Sequence, residues 1–390
     1  MSDKVEAYLS AQKQAQKSSE VAEEFFELEQ TYVKRLWNQL GGKTEKLVYD
    51  ANFTKSVNLE EFYSNFIFEF EHRIGALQLV RIILPVARFI FKQDPQKAFD
   101  FLAKFTKSTA KNAEASVRLA TVQIELRLAH KDANGAVADL PGVRKMIEDT
   151  QVKVDALASI SAVHAAFYKV SATYLREVAD YSGYYREALR YLGCESLDTL
   201  TPEEQRQHAV LLGFAALLGK DLYNFGELLA HPVLETLKNS TDNWLYEFLQ
   251  AFNAGNLQVF YDYEKKWINS PDMAKNRDLL ETKVRLLCLM EIASTRASRQ
   301  RQIPFAEIAE KTRLHIDKVE FLVMKALSNG LIRGRIDQVH QHVNVTWIQP
   351  RVLSIAQINA AADRINEWRA KVTATEELVT RDAKEIIVKN

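Results

Sequence analysis

Two short runs of residues resemble sites that bind phosphate or zinc. Residues 41–44 read Gly-Gly-Lys-Thr, like the end of the phosphate-binding loop G-x-x-x-x-G-K-[ST], whose backbone N–H groups and lysine hold phosphates. The first glycine of that loop would fall at position 37, where Trp37 stands, and no strand-like run precedes it. The glycine pair therefore predicts the end of a helix and not a nucleotide site.

His340 and His342 have the H-x-H spacing of zinc-dependent isopeptidases. Such a site needs an aspartate at position 353, where this chain has Leu353, and two histidines without a third ligand are typical of a surface. The chain also lacks a nucleophile elbow, and no serine or cysteine stands in a context that suggests an activating base. The sequence thus predicts no enzyme activity, no metal, no cofactor and no small-molecule substrate.

The composition is that of an ordinary globular protein with room for two or three domains. The 390 residues are 47% hydrophobic and 26% charged, and 51 basic residues balance 51 acidic ones, so no net field would attract nucleic acid or an anionic membrane. Cys194 and Cys288 are far apart, which favours a reducing compartment. The most apolar long stretch, residues 74–91, is interrupted by Arg81 and Arg88, which indicates no membrane span and no secretion signal.

Residues 302–352 have the pattern of a winged helix. Pro304 suits the first position of a short helix, and a second helix is predicted from about 315 to 329, where Gly330 would end it as a left-handed cap. The period then changes to two, which predicts two strands joined by residues 338–341. The predicted inward positions are Val319, Leu322, Val323, Ala326 and Leu327 on the helix and Ile332, Gly334, Ile336, Val343, Val345 and Trp347 on the strands.

Many winged helices bind nucleic acid, so the charges of this one bear on its function. Residues 302–352 contain seven basic and five acidic residues, and the second helix would present Asp317 and Glu320 to phosphate. A net charge of +2 is small for a surface that must neutralise several phosphates. Arg333 and Arg335 are the best candidates for such a contact, but a solvated outer face explains them as well.

Residues 1–195 are predicted to form an α-solenoid of helical repeats resembling tetratricopeptide repeats. Amphipathic segments follow one another without strands, and the run from Gly183 through Tyr185 and Ala188 to Leu192 fits the second helix of such a repeat. An irregular helical bundle remains the alternative. Residues 196–301 continue as helices, beginning at Thr201-Pro202, and an apolar helix at 283–297 is placed between the solenoid and the winged helix.

Residues 353–390 are predicted to form one helix, capped by Ser354, with an apolar seam that other helices could cover. Its heptad a positions are β-branched, whereas the d positions are weak for a self-sufficient two-stranded coiled coil. A mixed bundle with helices of other proteins fits this pattern better than folding back on its own domain. The a positions are Ile358, Ile365, Val372, Val379 and Ile386, and the d positions are Ala361, Trp368, Thr375 and Asp382.

A helical array that runs into a winged helix is similar to the PCI domain of subunits of the proteasome lid, the signalosome and translation initiation factor three. Longer runs resemble, more closely, a PCI subunit of the lid of the 26S proteasome regulatory particle. These runs are NFGELLAHP at 224–232, WLYEFLQAFNAG at 244–255, LIRGRIDQV at 331–339 and VTWIQPRVL at 345–353. The resemblance implies a mainly α fold with a helical PCI part at 196–301 and its winged helix at 302–352.

The resemblance also implies a non-catalytic structural role in ubiquitin-dependent protein degradation, in the cytoplasm and the nucleus. Winged helices of such subunits associate side by side, and their C-terminal helices gather in one bundle. It implies partner contacts for the hairpin through Val343, Val345 and Trp347. For the C-terminal helix the implied contact residues are Ile358, Ile365, Trp368, Val372 and Val379. A ubiquitin receptor is a further candidate partner, and the alternatives are a sister complex or a nucleic-acid-binding winged helix.

Overall fold

The computed structural model describes residues 2–15, 19–132, 135–238, 240–296, 301–352 and 355–382. The chain is mainly α-helical and divides into two compact units, Met1–Ser196 and Leu197–Asn390. The first unit contains α1 (Ser2–Ala15), α2 (Ser19–Val33), α3 (Trp37–Tyr49), α4 (Ala51–Ser56), α5 (Leu59–Phe62), α6 (Phe68–Phe70), α7 (Ala76–Gln93), α8 (Pro95–Lys104), α9 (Thr106–Thr109), α10 (Ala113–Ala129), α11 (Leu140–Asp155), α12 (Ala162–Glu177) and α13 (Tyr181–Cys194).

Aromatic side chains fill the start of the first unit. Phe25 of α2 packs against Phe53 and Phe62, with ring centroids 5.5 and 6.2 Å apart, and Phe66 and Phe70 continue the row. All five rings are fully buried, so each contributes its large apolar area as well as tilted and edge-to-face contacts. These rings therefore join α2, α4, α5 and α6 in one core.

The predicted repeat helix is present as α13, which packs against the preceding helix, α12. Gly183, Tyr185, Ala188 and Leu192 all lie on its buried face. A Cβ atom at Gly183 would stand 3.1 Å from Leu175 of α12, so the small residue permits the close helix contact that the motif requires.

The predicted helix end at residues 41–44 is wrong. Gly41 and Gly42 lie inside α3, and Gly41 is buried where an added Cβ would come within 2.7 Å of the Gln78 side chain of α7. Helix α2 ends at Val33, shortly before Arg35, which adopts a left-handed conformation with φ of 57°. Gly41 permits close packing of α3 against α7, and the place of both glycines inside a helix is also incompatible with a phosphate loop.

The second unit contains helices and one small sheet. Its elements are α14 (Pro202–Leu218), α15 (Gly226–Ala230), α16 (Glu235–Lys238), α17 (Asn243–Asn253), α18 (Leu257–Asp262), α19 (Glu264–Trp267), α20 (Pro271–Lys275), α21 (Arg277–Ser294), β1 (Gln302–Pro304), α22 (Phe305–Thr312), α23 (Ile316–Ser328), β2 (Ile332–Asp337), β3 (His342–Ile348) and α24 (Ile355–Asp382). Helix α14 begins at Pro202 after the N-cap Thr201, as the sequence predicts, and the structure adds a capping box between Thr201 and Glu204.

Helix α21 is the centre of this unit, because it packs against α14, α17 and α18 of the helical part and also against α22, α23 and β3 of the winged helix. It is the apolar helix that the sequence places before the winged helix. Lys283 of α21 is 2% exposed, and its Nζ donates to the carbonyl oxygens of Ala216, Leu217 and Gly219 at 2.6, 3.1 and 2.7 Å. This ammonium group therefore provides hydrogen-bond donors for carbonyl groups at the C-terminal end of α14, which have no partner within the helix.

Burial lowers the pKa of Lys283 to about 7, and the charge of Asp221 opposes that shift. The rings of Tyr223 and Phe225 lie 5.7 and 5.2 Å from the Nζ and favour the cation. Three carbonyl oxygens need three N–H donors, which only the charged form supplies. The sequence pattern alone gives no sign that this lysine, on an otherwise apolar helix, is structural.

The winged helix has a third strand that the sequence pattern does not reveal. The sheet order is β1-β3-β2, with Ile303 opposite Val343 and Gln302 opposite Asn344, both antiparallel. Pro304 consequently ends β1 in an extended conformation and is the N-cap of α22, so this helix begins at Phe305, one residue later than predicted. Only three residues long, β1 is too short to show a period of two. Gly330, at φ +67°, follows α23 as predicted.

Candidate partner-binding surfaces

Helix α24 exposes its apolar seam along its described length. It spans 28 residues, about 42 Å at 1.5 Å per residue. Large apolar side chains in a continuous row are uncommon on the surface of a monomer and mark an interaction site. The exposed fractions are 52% for Ile358, 64% for Ile365, 68% for Trp368, 48% for Val372 and 53% for Val379. The predicted cap Ser354 and the last seam position Ile386 lie outside the described residues.

The segment just before α24 is anchored to the helical part of the second unit. Arg351 donates from Nη1 to the carbonyl oxygen of Asn253 at 2.8 Å and from Nη2 to Oε2 of Glu291 at 2.6 Å. Gly226 permits the backbone of Val352 to approach, because a Cβ there would lie 2.7 Å from the Val352 Cβ. These contacts fix the point from which the terminal helix departs.

Arg351→Ala is expected to lower the free energy of unfolding by about 1–2 kcal/mol, because it leaves a carbonyl and a partly buried carboxylate without this donor. Chemical denaturation of the full-length chain measures the change. Arg277→Ala is the matched control: it removes an ion pair of 2.6 Å with a similarly accessible carboxylate, Glu264, but from an arginine that is itself exposed, and it should cost less than about 0.5 kcal/mol. Equal losses for the two variants would contradict the anchoring role of Arg351.

Val343 and Val345 do not form an exposed surface, which corrects their choice as contact residues. Both lie on β3, the middle strand, and are 0% and 2% exposed, because alternate residues of this strand face the core of the unit. A partner that meets β3 from outside would meet Asn344 and Thr346, which are exposed. The free edges of the described sheet belong to β1 and β2.

Trp347 is half-buried, so it does not continue the pattern in which alternate residues of β3, Val343 and Val345, are fully buried. The pairing of β2 with β3 shifts between Arg333 and Gly334, so that Arg333 lies opposite Trp347 and Gly334 opposite Val345. Thr346 is the extra residue, and its hydroxyl donates to the Arg333 carbonyl at 3.1 Å. The bulge turns the indole under the Arg333 guanidinium, which lies 4.7 Å from the ring centroid.

The outer face of α23 offers little that would hold nucleic acid. Asp317 and Lys318 are exposed beside Phe321 and Met324, which are 70% and 51% exposed. Recognition of phosphates and base edges needs donors and positive charge at these positions. An aromatic and a thioether side chain in their place are suited to a protein contact, and the sequence-based choice of contact residues did not include them.

Among the described residues, no group of three or more histidine, cysteine, aspartate or glutamate side chains could hold a metal ion. His340 and His342 instead face Asp337, with Nδ1 of His340 2.8 Å and Nε2 of His342 3.8 Å from its Oδ2. The hydrogen bonds from the backbone and the ring of His340 lower the pKa of Asp337. Burial raises the pKa of Cys288 to about 11, so this thiol is a poor nucleophile.

Within the part of the chain that the structure covers, none of the helices combines the length and hydropathy of a membrane span.

Helical repeats, a further set of helices around α21, a winged helix with a three-stranded sheet and a terminal helix with an exposed apolar seam define a PCI-domain protein. Comparison with protein families agrees with this class: the family described as PSD13 N-terminal repeats matches residues 24–249, and the PCI domain matches residues 260–347. The chain belongs to the family of the 26S proteasome non-ATPase regulatory subunit 13.

Three full-length relatives illustrate the family. Homolog A of this subunit from Arabidopsis thaliana is 36% identical, over 91% of this chain and 92% of its own length. The subunit from Dictyostelium discoideum is 32% identical, over 94% of this chain and 95% of its own length. The 26S proteasome regulatory subunit RPN9 of Saccharomyces cerevisiae is 31% identical, over 89% of this chain and 90% of its own length. A similarity to translation initiation factor 3 subunit M of Neosartorya fischeri, at 29%, covers only 43% of this chain.

Proposed function

We propose that this chain is a non-catalytic structural subunit of the lid of the 26S proteasome regulatory particle, acting in lid assembly and ubiquitin-dependent protein degradation. The observation that carries the proposal is the solvent-exposed seam of α24, an apolar surface within the described residues that is suited to contact with helices of other subunits. The three relatives matched over nearly their whole length, from Arabidopsis thaliana, Dictyostelium discoideum and Saccharomyces cerevisiae, are regulatory subunits of the 26S proteasome.

In this proposal Ile358, Ile365, Trp368, Val372 and Val379 face a bundle of helices from other lid subunits. The winged helix lies beside the PCI domain of a neighbour, at the hairpin that carries Trp347. Strand β2 supports this contact, because it is an edge strand whose outer backbone groups can pair with another chain. A ubiquitin receptor is proposed as a partner of the helical repeats, and the subunit is proposed to act in the cytoplasm and the nucleus.

Affinity purification of the tagged full-length chain, followed by mass spectrometry, tests the proposal. Lid subunits together with proteasomal ATPases are the expected companions. Recovery of signalosome or initiation-factor subunits instead would place the chain in a sister complex, and recovery of the chain alone from extracts would overturn the proposal.

A nucleic-acid-binding function makes a different prediction about the exposed arginines of β2. Because the winged helix carries little net charge, we expect no measurable binding of DNA or RNA at physiological salt, either by the wild-type chain or by Arg333→Ala/Arg335→Ala. Fluorescence anisotropy over a salt series measures the affinity of both proteins. Salt-dependent binding that this double variant abolishes would favour the nucleic-acid-binding alternative.

A further inference from the structure

The borders of the exposed seam on α24 carry an uneven distribution of charge. In heptad terms Arg364 and Lys371 occupy g positions and Arg369 an e position, so basic side chains line both borders of the middle of the seam. All three are exposed. Among residues 358–377, the acidic residue on a border, Glu376, comes later, and the other acidic residues lie away from the seam, Asp363 and Glu377 at f positions and Glu367 at a c position. In the middle of the seam, positively charged side chains therefore border the apolar stripe on both sides.

The sizes of the side chains within the seam are equally uneven. Trp368 occupies a d position, whereas the preceding and following d positions are Ala361 and Thr375. One heptad is seven residues, so each small residue lies about 10.5 Å along the helix from the indole. A helix packed by knobs into holes must offer little volume opposite Trp368 and large side chains opposite its two small neighbours.

We propose that the helix covering α24 carries acidic side chains at the borders of its own apolar stripe, opposite residues 364–371. It has a small residue facing Trp368 and large apolar residues facing Ala361 and Thr375. This inference rests on the proposed function, since it specifies the chemistry of the partner helix at the same surface. The carboxylates of the partner pair with Arg364, Arg369 and Lys371, which sets its register as well as its identity.

A second copy of this chain fits the seam less well. In a parallel, in-register pair Trp368 would face Trp368 and Ala361 would face Ala361, which crowds one layer and leaves a void in the next. The g position of one helix also lies near the following e position of the other, which would bring Arg364 towards Arg369. Both effects disfavour that self-pairing.

Reversal of charge at the borders tests the electrostatic half of the proposal. Tagged full-length chain with Arg364→Glu/Lys371→Glu is expected to enter the assembled complex about fivefold less than wild type at 0.15 M NaCl, and the deficit should narrow at 0.5 M because salt screens these exposed charges. The incorporation of Arg364→Gln/Lys371→Gln should lie between that of wild type and that of Arg364→Glu/Lys371→Glu. Glu377→Lys, a charge reversal on the opposite side of α24, is the matched control and should assemble normally.

Substitution of a small seam residue tests the part of the proposal that concerns the sizes of the partner's side chains. Ala361→Trp makes the seam more apolar, yet it is expected to lower incorporation at least about tenfold, because a large partner side chain already fills that layer. Trp368→Phe, which keeps an aromatic ring, is the milder comparison and should lose about threefold or less. Unchanged or improved incorporation of Ala361→Trp would overturn this half of the proposal.

The outcomes separate this inference from the function on which it rests. If Ile365→Asp/Val372→Asp enters the complex normally, the seam is not the assembly surface and the proposed function fails. If that variant is excluded while the charge reversal assembles like wild type at every salt concentration, only the acidic partner is refuted. Dimerisation of the purified wild-type chain through the seam, seen by analytical ultracentrifugation and lost in Ile365→Asp/Val372→Asp, would replace the partner helix with a second copy.

Discussion

The full-length chain carrying Ile365→Asp and Val372→Asp is expected to fold like wild type and yet to be absent from the assembled particle. Both side chains are exposed, at 64% and 48%, so carboxylates there cost little in the free chain. In a helical bundle the same carboxylates would be buried without partners, at a cost of several kcal/mol each. Incorporation should therefore fall by at least about a hundredfold.

Thermal denaturation and circular dichroism of the purified variant establish that it is folded, and quantitative co-purification measures its incorporation. Asn366→Asp/Thr373→Asp is the matched control, because it places two carboxylates seven residues apart at heptad b positions outside the seam. This control should assemble within about twofold of wild type. Equal losses for both double variants would show that α24 tolerates no added charge on any face.

Lys283→Met is expected to be the most destabilising single substitution considered, lowering the free energy of unfolding of the second unit by about 3 kcal/mol or more. Methionine is of similar length and keeps the apolar contacts of the stem, but it donates no hydrogen bond to Ala216, Leu217 or Gly219. These carbonyl groups at the end of α14 would remain buried without that donor.

Urea unfolding of the full-length chain, followed by tryptophan fluorescence, measures this loss; Trp267 of α19 is fully buried in the same unit. Lys275→Met, at an exposed position on the neighbouring helix α20, is the control and should change stability by less than about 0.5 kcal/mol. A change of that small size for Lys283→Met would mean that water or a nearby donor replaces the ammonium group.

Much of the fold was predictable because apolar residues on the buried face of a helix recur with a period of 3.6 residues. Val319, Leu322, Val323 and Ala326 of α23 are buried as their spacing predicts, and so is the face of α13 that carries Ala188. The same reasoning places Ile365 and Val372 on one stripe of α24. Periodicity cannot say whether a stripe is covered by its own chain, and the structure shows this one exposed.

The amino-acid sequence by itself determined the mainly α class, the winged helix and the seam of α24, because each depends on residues near one another along the chain. Tertiary structure decided the rest: Gly41 packs within a helix against Gln78, Lys283 reaches a helix end 67 residues away, and a bulge separates Trp347 from the buried valines. The physical reason is common to all three. Each depends on contacts with another element, and local propensity does not contain the energy of those contacts.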